Sequence, residues 1–473
     1  MTRLTRSRRR GVLTYDCPRL RLRVKQECVM PDRAENMPDQ SNQQPEHNTE
    51  TAADDDCPLA ASEQSRNIFC FAGLWCLYYL AAPVSYIGVT HANLLKALGG
   101  NDTVANLPHA VYQWISAVPI LVAWFLPQPR LLKPLLVTSL LAMAGITAVV
   151  PVTIWLRLPA STVTGAVVAH AAIFGGANGV VLMTLWELLR RGVSSGRRGR
   201  AMGMAFGIGP LFACAGSLAQ QVVLSKGPVG GITLGLQFPE NYLVLFAVAA
   251  PIMLTITLLG ASFIVPSSAE EPPAGPRLPE IVEGVRGFFT YRPIVMAAVT
   301  YLLVYSGGNA IMDNVSIHAR QMLGESETLG YQNFLRFGFK AATGVFLGWL
   351  LTKANPKATL IATTSILLVA MAWVLTATGR WYLISLGLLG AGELFGAYFP
   401  NYVTTASAPS RVRCNIAYLN LLGSLVGFAS ILFGKISDRF GRIASFHTAT
   451  GILIVALILI LLALPARPRP QDQ

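Results

Sequence analysis

Arg336 and Lys340 stand four residues apart in a largely apolar stretch, so on a helix they share one face. Glu393 lies in a second such stretch, and Asp313 lies near the end of a third. A charge at the centre of a bilayer costs on the order of 2.5 to 3.5 kcal/mol on insertion scales, so each of the four needs a partner or a task. Counting helical rise inward from Tyr331, Lys340 sits about 14 Å deep; Glu393 sits about 17 Å below Trp381, at similar depth. Asp313 falls at a height comparable with Arg336. The depths therefore pair Lys340 with Glu393 and Arg336 with Asp313. Two roles stand open. The pairs can fix helix rotation, or they can line a cavity that binds a polar or anionic solute and exchanges a proton at Glu393 or Asp313. A buried carboxylate takes up a proton more readily than an exposed one, and a neighbouring cation opposes this. A solute that engages Lys340 would free its carboxylate partner to accept a proton. His170 is the ionisable group deep in the N-terminal half.

The elements that must position these groups are twelve long apolar runs, from about Arg66 to Pro465. A helix needs roughly 20 apolar residues to cross a bilayer. Runs this uniformly apolar are helices, not the alternating strands of a barrel. Of 473 residues, 53% are hydrophobic and 13% charged, where soluble domains carry about 25% charged. The net charge of +13 is read as orienting the helices, with no nucleic-acid partner. Cys17, Cys28 and Cys57 lie in the polar N-terminal segment, and Cys70, Cys76, Cys214 and Cys414 lie in or beside apolar runs. No loop carries a cysteine pair, so no disulfide framework, zinc site or cofactor is expected.

The spans are placed near 67–90, 108–127, 134–156, 161–188, 201–225, 241–265, 292–315, 331–352, 357–377, 381–407, 414–435 and 443–465. With the N-terminus inside, the inner loops hold 14 basic residues and the outer loops eight. That bias puts both termini in the cytoplasm of a multi-pass inner (cytoplasmic) membrane protein. Residues 1–65, basic and then acidic, form a disordered cytoplasmic tail, with Met30 and Met37 as alternative starts. Residues 66–266 form an N-terminal six-helix bundle, 267–291 a central cytoplasmic linker, 292–466 a C-terminal six-helix bundle, and 467–473 a short tail. The linker opens Pro-rich and closes as an amphipathic surface helix. The fold class is all-α: two six-helix bundles related by a pseudo-two-fold axis. Spans one and seven share a His-Ala pair (His91-Ala92, His318-Ala319) followed by a Leu-Gly pair (Leu98-Gly99, Leu323-Gly324), which fits a duplicated unit. The glycine strings at 175–179, 344–348 and 423–427 are expected to be close helix crossings.

Twelve spans, a 6+6 repeat, a long central loop and basic inner loops together resemble the major facilitator superfamily of secondary transporters. The resemblance covers about residues 66–466. The family's loop motif, G-x-L-x-D-R-x-G-R-K, is represented after span eight by GWLLTKANPK, through Gly348, Leu350, Lys353 and Lys357. There Thr352 replaces Asp and Asn355 replaces Gly. After span two only Arg130 and Lys133 remain. A third string, GKISDRFGR at 434–442, spells the motif better, but the helix count puts it on the outer side. Gly209 and Pro210 resemble the antiporter motif of span five, and His170 stands one position from the place of the family's span-four Arg.

In that family spans one, four, seven and ten line the central cavity. The resemblance thus implies a lining of Tyr78, Tyr79, Tyr86, His170, Asn178, Asn309, Asp313, Glu393, Tyr398 and Asn401, with Arg336 and Lys340 facing it. The expected function is secondary active transport of a small polar solute or organic anion by alternating access, coupled to protons, by a monomer in the bilayer. A drug or metabolite efflux antiporter and a transporter-like sensor without flux are the alternatives. An enzyme is not expected, because the inner loops carry Arg and Lys and no cluster of His, Asp or Glu.

Overall fold

A computed structural model describes residues 57–126, 128–227, 229–266, 278–323, 328–408 and 411–469. Most of the expected tail and the first part of the linker lie outside these. The described residues make twelve crossings in two halves.

The first half comprises, in order, Ala61–Leu80 with Ala82–Ser85 and Val89–Ala97; Asp102–Ile115 with Val118–Phe125; Leu132–Trp155; and Ala160–Gly192. The fifth crossing is Ser195–Gly203, a π turn at Met204–Ile208, and Gly209–Leu224; the sixth is Glu240–Ala261. A separate helix, Leu278–Thr290, leads into the second half, as the amphipathic end of the linker predicts. The seventh crossing is Arg292–Tyr305, a π turn at Ser306–Ala310, and Met312–Leu323. The eighth is Leu329–Lys353 and the ninth Pro356–Thr376. The tenth is Ile384–Gly392 with Phe395–Ala406, the eleventh Val412–Gly423 with Val426–Phe440, and the twelfth Arg442–Ala463.

Ten of these are helical stretches long and apolar enough to cross a bilayer; the first and second are broken into shorter pieces. The breaks have local causes. In the first crossing Gly88 takes φ +138°, a conformation that L side chains rarely adopt. In the second, Pro119 opens the later piece, where a proline needs no helical N–H partner. The second crossing starts at Asp102, earlier than expected, because Asn101 accepts from Val104 N at 2.9 Å and caps it. The first helix starts at Ala61, inside the segment read as tail. Glu63 accepts there from Ala60 N at 3.0 Å, and Gln64 accepts from Ser194 N at 3.1 Å, so this turn is tied to the bundle.

Twelve crossings return both described ends to one face, called the terminal face below. Cys57 Sγ approaches Arg191 O at 3.5 Å there, and the Tyr291 hydroxyl donates to Arg469 O at 2.6 Å. The opposite, far face carries the turn between the first and second crossings and the turn at Gly441. Small residues set helix distances. A Cβ on Gly175 would come within 2.6 Å of Tyr112 O, and one on Gly427 within 2.5 Å of Trp114 Nε1. These two strings are close crossings, as expected. The third, 344–348, is not: Gly348 has nothing within 4 Å, and Val345 and Trp349 are exposed. That face points outward, where a bilayer's chains would meet it.

Bonds that join the halves gather toward the far face. Asn93 Nδ2 donates to Ser316 Oγ at 2.9 Å, Asn106 Nδ2 to Asn314 Oδ1 at 2.6 Å, and Asn333 Nδ2 to Gln220 Oε1 at 2.8 Å. The GKISDRFGR string sits among them, beside the turn between the first and second crossings, in agreement with the helix count. The molecule is closed at this end.

Candidate solute and proton site

The tenth crossing breaks at Glu393 and Leu394, which places the Glu393 side chain in the body of the bundle with only 4% of it exposed. Gly390 lies directly against the Arg336 backbone, so the eighth and tenth crossings approach as closely as a bare Cα allows. Arg336 bonds Glu393 through Nη2 and, at 3.1 Å, through Nε. Lys340 Nζ reaches Glu393 Oε2 at 3.2 Å. Asn309, in the π turn of the seventh crossing, donates to Glu393 Oε1 at 2.9 Å. The spacing of four between Arg336 and Lys340 thus converges on one carboxylate.

The other half closes over this cluster. The Tyr86 ring, at the break of the first crossing, lies 5.7 Å from the Arg336 guanidinium carbon and 5.8 Å from Lys340 Nζ, within cation–π range. Phe337 meets Tyr86 edge-on at 5.1 Å, and Tyr78 and Tyr79 flank it at 6.1 and 6.2 Å. Behind them the Tyr78 hydroxyl donates to Asn178 Oδ1 at 3.1 Å, and Asn178 Nδ2 donates to the Tyr112 hydroxyl at 3.0 Å. Two cations and one carboxylate leave one net positive charge against an aromatic wall. Lys340 is the more open of the cations, at 21% against 8% for Arg336. Such a site can take a carboxylate or another small anion on Lys340, or stack and hydrogen-bond a neutral polar solute.

The structure brings Arg336, Lys340, Glu393, Asn309 and Tyr86 together. It does not pair Arg336 with Asp313. Asp313 Oδ2 lies 3.1 Å from His109 Nδ1 of the second crossing. The π turn at Ser306–Ala310 explains the difference: it adds a residue to one turn, so Asn309 meets Glu393 while Asp313, one turn later, faces the other half. His170 is buried away from this cluster. Its Nδ1 lies 3.2 Å from His91 Nε2, and its Nε2 lies 3.2 Å from Thr147 Oγ1. Asn401 lies eight residues beyond Glu393, about 12 Å along the helix, past Pro400. Of the loop motif, Lys353 ends the eighth crossing and Lys357 donates to Leu461 O at 2.8 Å. Asn355 caps the ninth crossing by accepting from Ala358 N at 3.0 Å.

Sequence reasoning missed His109 and Gln113. Their spacing of four in an otherwise apolar run is a polar helix face that a search for charges alone passes over. Gln113 Nε2 lies 3.2 Å from His109 Nε2 and donates to the Tyr305 hydroxyl at 2.8 Å.

No family model and no curated protein matches this sequence. Solved structures do. A D-xylose–proton symporter superposes with a TM-score of 0.61 at 13% identity, covering 86% of this chain and 99% of that one. A nucleoside transporter gives 0.61 at 10% identity, covering 85% and 100%. A bacterial homologue of the human lysosomal transporter Spinster, in an inward-facing and unoccupied conformation, gives 0.58 at 14% identity, covering 86% and 98%. The likeness shows the fold: two six-helix halves over nearly the full length of each neighbour.

Proposed function

We propose that this chain, which has the major facilitator fold, is a secondary active transporter that carries a small polar solute or organic anion across the cytoplasmic membrane by alternating access, coupled to protons. The observation that carries this reading is the Arg336–Glu393–Lys340 cluster, buried between the halves and covered by Tyr86 of the opposite half. Charge inside a bilayer is retained where it has a task, and a cluster formed by two helices and capped by a third feels any movement of the halves. With both termini cytoplasmic, the far face, which the bonds between the halves hold together, is the outer one and the terminal face is the inner one. A solute anion would enter from that side and take Lys340. Arg336 and Asn309 would keep hold of Glu393. One chain supplies the whole cluster, which fits a monomer.

Efflux in exchange for protons is the second reading. It is favoured by Gly209, which lies against the Tyr79 ring where the fifth crossing bends at its π turn and Pro210. The test is uptake into proteoliposomes driven by a pH gradient, with a panel of organic acids, sugars, amino acids and nitrate. A solute that accumulates only with the gradient, and fails to accumulate in Lys340→Gln, supports the reading. Gradient-driven expulsion would select the antiporter. Silence across the panel with folded protein would count against both.

A further inference from the structure

We propose that a cleft on the far face, between the two halves, binds an oxyanion carried on a small apolar body, held by Arg320 and the Tyr242 hydroxyl. The site is separate from the solute cluster, and it goes beyond the transport reading. The cleft has a volume of about 430 Å³, within the range of pockets that hold small-molecule ligands. Lys226, Gln237, Phe238, Asn241 and Tyr242 line it from the first half, and Arg320 lines it from the second. The connections of the chain bring them together. The fifth crossing ends at Leu224 and the sixth starts at Glu240, so residues 225–239 run over the far face. Asn241 and Tyr242 lie in the first turn of the sixth crossing, and Arg320 lies in the last turn of the seventh. Arg320 stands eleven residues beyond Asn309, about 16 Å along the helix, so the cleft is remote from Glu393.

The lining is a set of donors. Arg320 Nη1 donates to Asn93 O at 2.9 Å, which uses one of the five N–H groups of the guanidinium and anchors its head against the first half. Asn241 Oδ1 accepts from Tyr242 N at 2.8 Å, so what its amide has left to offer is Nδ2, a donor. Lys226 adds a second positive charge, and no carboxylate stands among the described lining residues. Tyr242 is the group that points to a ligand. It lines the cleft and is 1% exposed, yet its hydroxyl has no hydrogen-bond partner among the described residues. The large majority of buried hydroxyls have one. Arg320 is near enough to act electrostatically on this hydroxyl. Two donors, one of them charged, thus meet over one space, and an oxyanion accepts from both.

The Phe238 ring stands edge-on to Tyr242 at 6.1 Å and is exposed, which gives an apolar body a surface to lie on. Ile232 and Leu234 are exposed on the same segment. The ligand chemistry is therefore a carboxylate or phosphate on an apolar body, as in a free organic acid or the headgroup end of an anionic lipid. The anion would accept from Tyr242 of one half and Arg320 of the other. Parting the far face splits the site, so under the alternating-access reading a bound anion holds this face shut. Binding itself requires no transport, so the two readings fail separately.

The test is benzoate binding to the full chain in detergent, by isothermal titration calorimetry. Lys340→Gln serves as the background, so that benzoate is not taken up at Lys340. One equivalent should bind, and benzamide, which has the same shape without the charge, should bind far more weakly. Tyr242→Phe removes a hydroxyl that bonds nothing among the described residues. It should leave the melting temperature of ligand-free protein unchanged and raise the benzoate Kd about tenfold, as the loss of one hydrogen bond to a charged group does. Arg320→Gln should abolish saturable binding; it also costs the Asn93 bond, so Tyr242→Phe is the deciding variant. Unchanged benzoate affinity in Tyr242→Phe overturns the proposal, as does equal affinity for benzamide. Phosphatidylglycerol, counted by native mass spectrometry, distinguishes the sources. A lipid that stays bound, is lost in Tyr242→Phe and blocks benzoate makes the anion a headgroup. Benzoate binding undiminished by the lipid makes it a free acid. Folded protein that binds neither overturns the proposal.

Discussion

Glu393 serves three donors, and their loss should be unequal. Removing one partner of a buried ion pair costs about 3–5 kcal/mol, because the remaining charge is stranded. Glu393→Gln leaves Arg336 and Lys340 facing a neutral amide, and Arg336 is the more deeply buried. The expected result is a clear fall in melting temperature in detergent. Lys340→Gln should lower it far less, since Lys340 is partly open to the cavity and Arg336 still neutralises Glu393, yet it should abolish anion uptake. Equal thermal losses for the two variants would mean that Lys340 is structural. The Lys340–Glu393 contact was legible from depth alone, since no π turn lies between the counted helix end and either residue. The Arg336–Asp313 pairing was not, because depth counting assumes a uniform rise and the π turn of the seventh crossing breaks it. His109 escaped because its partner, Asp313, lies on a helix of the other half, far away in the chain.

At the scale of the element, the GKISDRFGR string does on the far face what a capping group does for a single helix, but across the two halves. Asp438 accepts from Asp102 N at 2.8 Å, Thr103 N at 2.9 Å and Thr103 Oγ1 at 2.5 Å. These are orphan donors at the start of the second crossing, where the helix dipole favours an anion. Asp102 in turn takes Arg442 Nη2 at 2.7 Å and Lys96 Nζ at 2.9 Å. The residues after the eighth crossing act within their own half instead, as Asn355 and Lys357 show. Asp438→Ala removes three bonds, each worth about 1.5–3 kcal/mol when the acceptor is charged, and all of them across the seam. It should raise maleimide labelling of a thiol placed in the seam by Ser430→Cys, a fully buried position of the eleventh crossing between Gly427 and Gly434. An unchanged rate would mean that the string only shapes its own turn. The string itself was plain in the sequence. Its partner was not, because a helix N-terminus 336 residues away in the chain offers backbone donors and no distinctive side chain.

For the whole molecule, the alternating access proposed above would part the halves along the far-face seam, and the seam's packing would then set the balance between conformations. The twelve runs and the 6+6 division were legible because length and hydropathy alone decide what crosses a bilayer. Which glycines sit in the seam was not, since a glycine facing a helix and one facing outward look the same in sequence. Gly427 and Gly348 are such a contrast. A Cβ on Gly427 would stand 2.6 Å from Ala110 O and 2.5 Å from Trp114 Nε1, on the far side of the seam. Backbone cannot yield as a side chain can, so Gly427→Val should wedge the halves apart rather than unfold either one. The expected outcome is fast, nearly saturated labelling of the Ser430→Cys thiol, loss of net uptake and a retained helical spectrum. Gly451, in the twelfth crossing, has nothing within 4 Å of its Cβ position. Gly451→Ala should leave labelling and uptake unchanged and stabilise its helix by up to about 1 kcal/mol. If Gly427→Val labels no faster than Gly451→Ala, the second and eleventh crossings move together, and the halves part along some other line.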